Sequence, residues 1–149
     1  MTPHAHNSAS AQDQAQRLAA LGRVPREVFA LLADSTTPLK AYELLWRLQA
    51  NRGRRAPPTT IYRALATLIE AGLVHRIESL GAFIVCAMPD TSHDPIFLLC
   101  EQCGSALETN VGSIAQSVTE HVEGVGFQVR RLNCIVRGRC SICRAACET

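Results

Sequence analysis

The sequence predicts an α+β chain: an N-terminal winged-helix module, then a small α/β module built around four cysteines. Three observations predict it. Three amphipathic helical segments, with a basic loop before the third, are followed at once by two short strand-like runs. Two Cys-x-x-Cys pairs, Cys100/Cys103 and Cys140/Cys143, lie together in the last third of the chain. A polar stretch with two prolines, Met88–Pro95, separates the two patterns. The expected layout is a disordered tail over 1–10, a winged helix over 11–87, a hinge over 88–95 and the cysteine module over 96–149.

The elements follow from local chemistry. Ala11–Leu21 is rich in Ala and Gln and reads as a helix that stops at Gly22. Pro25 opens a second helix whose apolar face is Val28, Phe29, Leu31 and Leu32. A turn over 34–38 leads to a third helix from about Pro38 to Gln49, with Tyr42, Leu45, Trp46 and Leu48 at helical spacing. Residues 51–55 form a basic loop. Pro58 suits a first helical turn, so a fourth helix runs from Thr59 to Ala71-Gly72. Ile61, Leu65, Leu68 and Ile69 share one side of it, and Thr59, Tyr62, Arg63, Ala66 and Thr67 the other. Residues 73–78 and 82–86 read as the two arms of a wing. Beyond the hinge, 96–100 and 105–109 read as strands, 112–124 as a helix and 127–136 as a long strand into the second cysteine pair.

Composition bounds the function. With 47% hydrophobic and 19% charged residues, the chain can build cores and does not have the composition of a disordered one. No apolar run approaches the roughly 20 residues that span a bilayer. The start lacks the basic-then-apolar order of a signal peptide. Seven cysteines without such a signal point to a reducing, cytoplasmic setting, where paired cysteines are metal ligands more often than disulfides. Residues 1–80 hold ten basic groups against six acidic, and residues 87–149 five against seven. Any polyanion would therefore meet the first module.

Three constellations carry chemistry. Cys100, Cys103, Cys140 and Cys143 offer four thiolates to one tetrahedral ion, leaving no open position; this is a closed structural zinc site. On the fourth helix, Arg63 can pair bidentately with guanine, and Thr59 and Tyr62 can reach phosphate or a thymine methyl. Arg52, Arg54 and Arg55 suit phosphate contacts. Taken singly, His75, Cys86, His93 and Glu108 each have an ordinary structural reading. As a set they supply N, S, N and O donors, a mixture suited to zinc, and their positions span the hinge.

The segments Ala56-Pro-Pro-Thr-Thr-Ile-Tyr-Arg-Ala-Leu-Ala-Thr-Leu68, Glu70-Ala-Gly-Leu-Val-His-Arg-Ile-Glu-Ser79 and Phe97-Leu-Leu-Cys-Glu-Gln-Cys-Gly104 resemble the ferric uptake regulator (Fur) superfamily. The likeness covers roughly residues 12–145 and is strongest to its zinc uptake regulator branch. It implies a homodimeric repressor that binds operator DNA when metal is bound, with 96–149 as its dimerisation domain. It implies two Zn(II) per protomer: a structural ion at the four cysteines and a regulatory ion at His75, Cys86, His93 and Glu108. It implies DNA contacts at Tyr42, Tyr62 and Arg63, zinc uptake genes as targets, and neither a membrane nor a small-molecule substrate as partner. The chain carries Ser92-His93-Asp94-Pro95 where iron- and peroxide-sensing relatives have a His-His-Asp-His cluster. It opens its second helix with Val24-Pro25-Arg26 in place of the usual Thr-Pro-Gln-Arg.

Rival readings are an iron, manganese or nickel sensor of the same superfamily, a zinc-ribbon module that binds protein, and an enzyme whose catalytic zinc uses Glu108 as base. The enzyme reading lacks a His-Glu-x-x-His helix. His121, Cys134 and Cys147 have no assigned role.

Overall fold

The computed structural model describes residues 8–89, 95–110 and 112–147. Most of the predicted tail and the middle of the predicted hinge, including His93, lie outside the described residues. The chain divides into two compact units, Met1–Thr91 and Ser92–Thr149.

In the first unit, α1 (Ser8–Ala19), α2 (Arg23–Ala33), α3 (Ala41–Arg52) and α4 (Pro58–Glu70) accompany a sheet of β1 (Leu39–Lys40), β2 (Val74–Ile77) and β3 (Ala82–Val85). The sheet order is β1-β3-β2, antiparallel throughout. Side chains three and four apart on α2, α3 and α4 meet at the core: Val28, Phe29 and Leu32; Leu44 and Leu48; Ile61, Ala64, Leu65 and Leu68. Leu39, Leu73, Val74 and Phe83 close it from the sheet side. Leu18 and Leu21 pack the first helix and its exit against this core.

Helix α4 has well-defined ends. Pro58 occupies its first turn, where the missing N–H costs nothing. Its exit is a Schellman turn: Leu73 N–H donates to Leu68 O at 2.9 Å and Gly72 N–H to Ile69 O at 2.9 Å. Gly72 takes φ +69, a left-handed conformation open to glycine at little cost.

Three expectations are corrected here. Helix α3 starts at Ala41, not near Pro38, because Leu39 and Lys40 pair with Phe83 and Ala82 as strand β1. It also runs on to Arg52 and ends at Gly53, φ +62, so the basic loop is confined to 53–57. Tyr42 and Trp46 are not on its buried face; they are 62% and 77% exposed, while Leu48 is buried as expected and Leu44 is buried beside it.

In the second unit, β4 (Ile96–Cys100) is central, with β5 (Ala106–Thr109) antiparallel on one side and β6 (Cys134–Gly138) parallel on the other. The long strand expected over 127–136 is a short one, because β4 offers only five residues to pair with. Helix α5 (Gly112–Gly124) forms where expected but has no buried residue. A short helix, α6 (Ser141–Cys147), begins directly after Cys140, contains Cys143 and was not anticipated.

Candidate metal centres and nucleic-acid face

The two cysteine pairs meet because β4 and β6 run parallel and end together. Cys100 is the last residue of β4 and pairs with Gly138 at the end of β6. The turn after β4 carries Cys103, Cys140 immediately precedes α6 and Cys143 lies in its first turn. One sulfur from each of the four lies within 4.8 Å of all the others. Cys103 Sγ and Cys140 Sγ are 3.8 Å apart.

Backbone amides are aimed at these sulfurs. Cys140 N–H donates to Cys100 Sγ at 3.3 Å, and Cys143 N–H to Cys140 Sγ at 3.5 Å. The N–H groups of Cys103 and Cys140 pull the Cys100 thiol down to about 6, against its burial. Ser105 beside Cys103 lowers that thiol too. Cys143 is pushed up to about 12, first by its contact with Cys140 and then by burial and the other sulfurs. The pattern is that of four thiols sharing one small space: the first ionises readily, and the last resists unless a cation neutralises the group. Four soft donors in a tetrahedral-sized cluster fit zinc.

A second donor pair lies in the first unit. His75 on β2 faces Ile84, and Cys86 is two residues beyond Ile84, so the two are diagonal neighbours on one face of the hairpin. Cys86 N–H continues the ladder to Leu73 O at 2.9 Å. A ring nitrogen of His75 and the Cys86 sulfur come within 4.8 Å of each other. Cys86 is buried, and Met88 N–H donates to its sulfur at 3.4 Å. In the second unit, Glu108 on β5 opposite Phe97 is only 6% exposed. A carboxylate is not buried cheaply without pairing, hydrogen bonds or a metal. His93 lies outside the described residues.

The exposed side of α4 carries Thr59, Tyr62, Arg63 and Ala66, while Thr67 is half-buried and donates back to Arg63 O at 3.0 Å. Ile69, placed by its spacing on the apolar side, is 41% exposed, and Ala64 is buried. Arg54 and Arg55 project from the loop before the helix.

Arg52 does not join them. Its side chain is 11% exposed and its Nε donates to Glu27 at 2.7 Å. Glu27 also accepts from Arg23 Nε at 2.6 Å. The two guanidiniums, Arg52 first, lower the Glu27 carboxyl below its usual range. Arg52 therefore ties α3 to α2 and is removed from the set of phosphate-contact residues. Sequence reasoning missed Glu27; the signal available was an acidic residue four after Arg23 on a helix.

A family model described as the Ferric uptake regulator family matches residues 24–136, from α2 into β6. The chain belongs to the ferric uptake regulator family. A family member, the Zinc uptake regulation protein of Escherichia coli (strain K12), is 30% identical over 130 residues, covering 87% of this chain and 75% of that protein. The Ferric uptake regulation protein of Haemophilus influenzae (strain ATCC 51907 / DSM 11121 / KW20 / Rd) is 26% identical over 114 residues, 76% of this chain and 77% of that one. Among solved structures, holo XcZur aligns with a TM-score of 0.76 at 33% identity, covering 91% of this chain and 99% of that chain. A zinc uptake regulator complexed with zinc and DNA aligns with a TM-score of 0.81 at 27% identity, covering 99% and 100%.

Proposed function

We propose that this family member is a zinc-responsive transcriptional repressor that binds operator DNA as a homodimer and controls zinc uptake genes. Each protomer takes two Zn(II) ions. One is structural, held by Cys100, Cys103, Cys140 and Cys143. The other is regulatory, held by His75, Cys86, His93 and Glu108. The likeness to zinc uptake regulators supports this reading. So does the donor chemistry at the wing. Nitrogen and oxygen donors alone would suit iron, manganese or nickel; the Cys86 sulfur, close to His75, favours zinc. That sulfur is the observation on which the choice of metal rests.

The dimer is supported by the second unit, where Leu107, Val125 and Phe127 are 61%, 76% and 64% exposed and α5 buries nothing within its own chain. A second copy covering this surface places two α4 helices for successive major-groove turns. Arg63, Tyr62 and Thr59 then read base edges or touch phosphate, with Tyr42, Arg54 and Arg55 on the backbone. The protein works where the DNA is, in the cytoplasm.

Filling the regulatory site raises operator affinity by populating the arrangement that fits DNA. Cys86→Ser and His93→Ala test this. Each variant is expected to remain a folded dimer with one zinc per protomer after mild chelation, and to show no gain in operator affinity on adding zinc. A normal zinc response in both variants removes the assignment.

A further inference from the structure

We infer that Arg17 is a positioning residue for the metal response, tying the chain that leaves Cys86 to the C-terminal end of the recognition helix α4. This rests on the reading above, in which Cys86 holds the regulatory ion.

The geometry is local to the first unit. Arg17 Nη1 donates to Pro89 O at 2.7 Å and to Ala71 O at 3.4 Å. The first is a short, charge-assisted bond to a residue three after Cys86. The second reaches the cap residue of α4, where the helix dipole favours a cation. Asp13, one turn earlier on α1, holds Arg17 Nε at 2.7 Å and so aims the fork. The fit is close: a Cβ on Gly72 would meet Arg17 Nη1 at 3.4 Å and Pro89 O at 3.8 Å. Gln14, on the same helix, reaches Cys86 O at a marginal 3.5 Å.

The segment from Cys86 to Pro89 is itself a short arc, closed by the Met88 N–H to Cys86 Sγ bond. An ion that draws on this sulfur therefore acts on the whole arc. Two links carry its position onward. The Cys86 N–H to Leu73 O bond belongs to the sheet ladder. The Arg17 link is a side-chain contact that can be lost while the fold remains. Both Arg17 and Asp13 are more than a third exposed, so as a plain surface ion pair they add little stability. The two carbonyls, one from each side of the coupling, give Arg17 its role.

The test uses the full-length dimer carrying Arg17→Met, with Asp13→Asn as a milder variant that keeps the donors but releases their orientation. Operator binding is measured by fluorescence anisotropy at one fixed salt, with zinc and with chelator. Zinc affinity of the second site is measured by indicator competition, with and without operator. Arg17→Met is expected to keep two zincs and to bind operator without metal within about twofold of the parent. The zinc-induced gain in affinity should fall by about tenfold, inside the usual span of allosteric coupling. By linkage, the operator-induced gain in zinc affinity must fall by the same factor. Asp13→Asn should shift the same ratio less. An unchanged ratio overturns the inference, as does an equal loss with and without zinc, which would mark Arg17 as merely structural. If Arg17→Met does not fold, Asp13→Asn decides, and an unchanged ratio there overturns it. A Cys86→Ser protein that still responds to zinc sinks the metal reading. A silent Cys86→Ser beside a normally responding Arg17→Met sinks only this coupling.

Discussion

Replacing Cys103 by Ser should unfold the second unit and leave the first folded. Cys103 is exposed, so serine there leaves no cavity; the substitution removes a proposed zinc ligand and little else. The magnitude follows from what holds each unit. Among the described residues of the second unit, the large buried apolar side chains are Ile96, Phe97 and Leu99, joined by Cys100 and Cys143. At about 1.5–3 kcal/mol for each fully buried large side chain, those three contribute on the order of 5–9 kcal/mol. A structural zinc contributes an apparent ~10–16 kcal/mol to small metallo-domains. The ion therefore outweighs the apolar core of its unit. The first unit has a cluster of thirteen buried apolar residues and no such dependence. Limited proteolysis with mapped cut sites, read beside sedimentation and zinc release, distinguishes the outcomes. Cuts confined to 92–149, loss of the dimer and surviving helical signal from the first unit are expected. A Cys103→Ser protein that stays dimeric, keeps that zinc through chelation and resists cleavage over 92–149 would refute the reasoning.

Arg63→Ala should cost about 1–3 kcal/mol of specific operator binding and relax preference at one base position, measured against a panel of mutated operators. Arg55→Ala should weaken binding to all sequences and reduce the salt slope by about 1. Arg52→Ala should leave that slope unchanged and lower thermal stability instead, because its guanidinium is engaged with Glu27. Glu27→Gln bears on acid stability. Glu27 has its folded-state carboxyl lowered from 4.5, so its stabilisation is complete above that pH and is lost as pH falls through the folded value. The variant's melting temperature should therefore change less than the parent's over the acid range, with the two converging at low pH.

What the sequence made legible was the part dictated by short-range chemistry. The hairpin arms, the proline start and glycine stop of α4, and the span of α5 all follow from residues adjacent to the feature. The errors lie where a distant partner decides. Leu39 and Lys40 have no strand signature of their own; β3 recruits them. Residues 127–136 alternate well, yet a strand extends only as far as its neighbour, and β4 is five residues long. Trp46 fits an apolar helical repeat with Tyr42, but of that repeat only Leu45 and Leu48 face the core, and Leu44 joins them. Arg52 looked like loop charge because its neighbours are arginines; only the helix continuing to Gly53 turns it toward Glu27. Arg17 and Glu27 illustrate a further limit. Their importance lies in partners 54, 72 and 25 residues away, and no local pattern announces that.

The two proposed zinc sites differ in a way that suits their different work. The four-cysteine site draws every ligand from one unit, between two strand ends already held by pairing. An ion there adds to the stability of that unit and has no second state of the protein to choose between. The proposed regulatory site draws His75 and Cys86 from one unit and His93 and Glu108 from the other. A ligand can bias an equilibrium only by its differential affinity for the two states. In the proposal, it is the division of donors between units that supplies that difference. Exchanging the roles should then fail in a defined way. Converting His75 to Cys would tighten zinc at the wing and hold the repressor on DNA at zinc levels where the parent is released, without adding to the stability of the second unit.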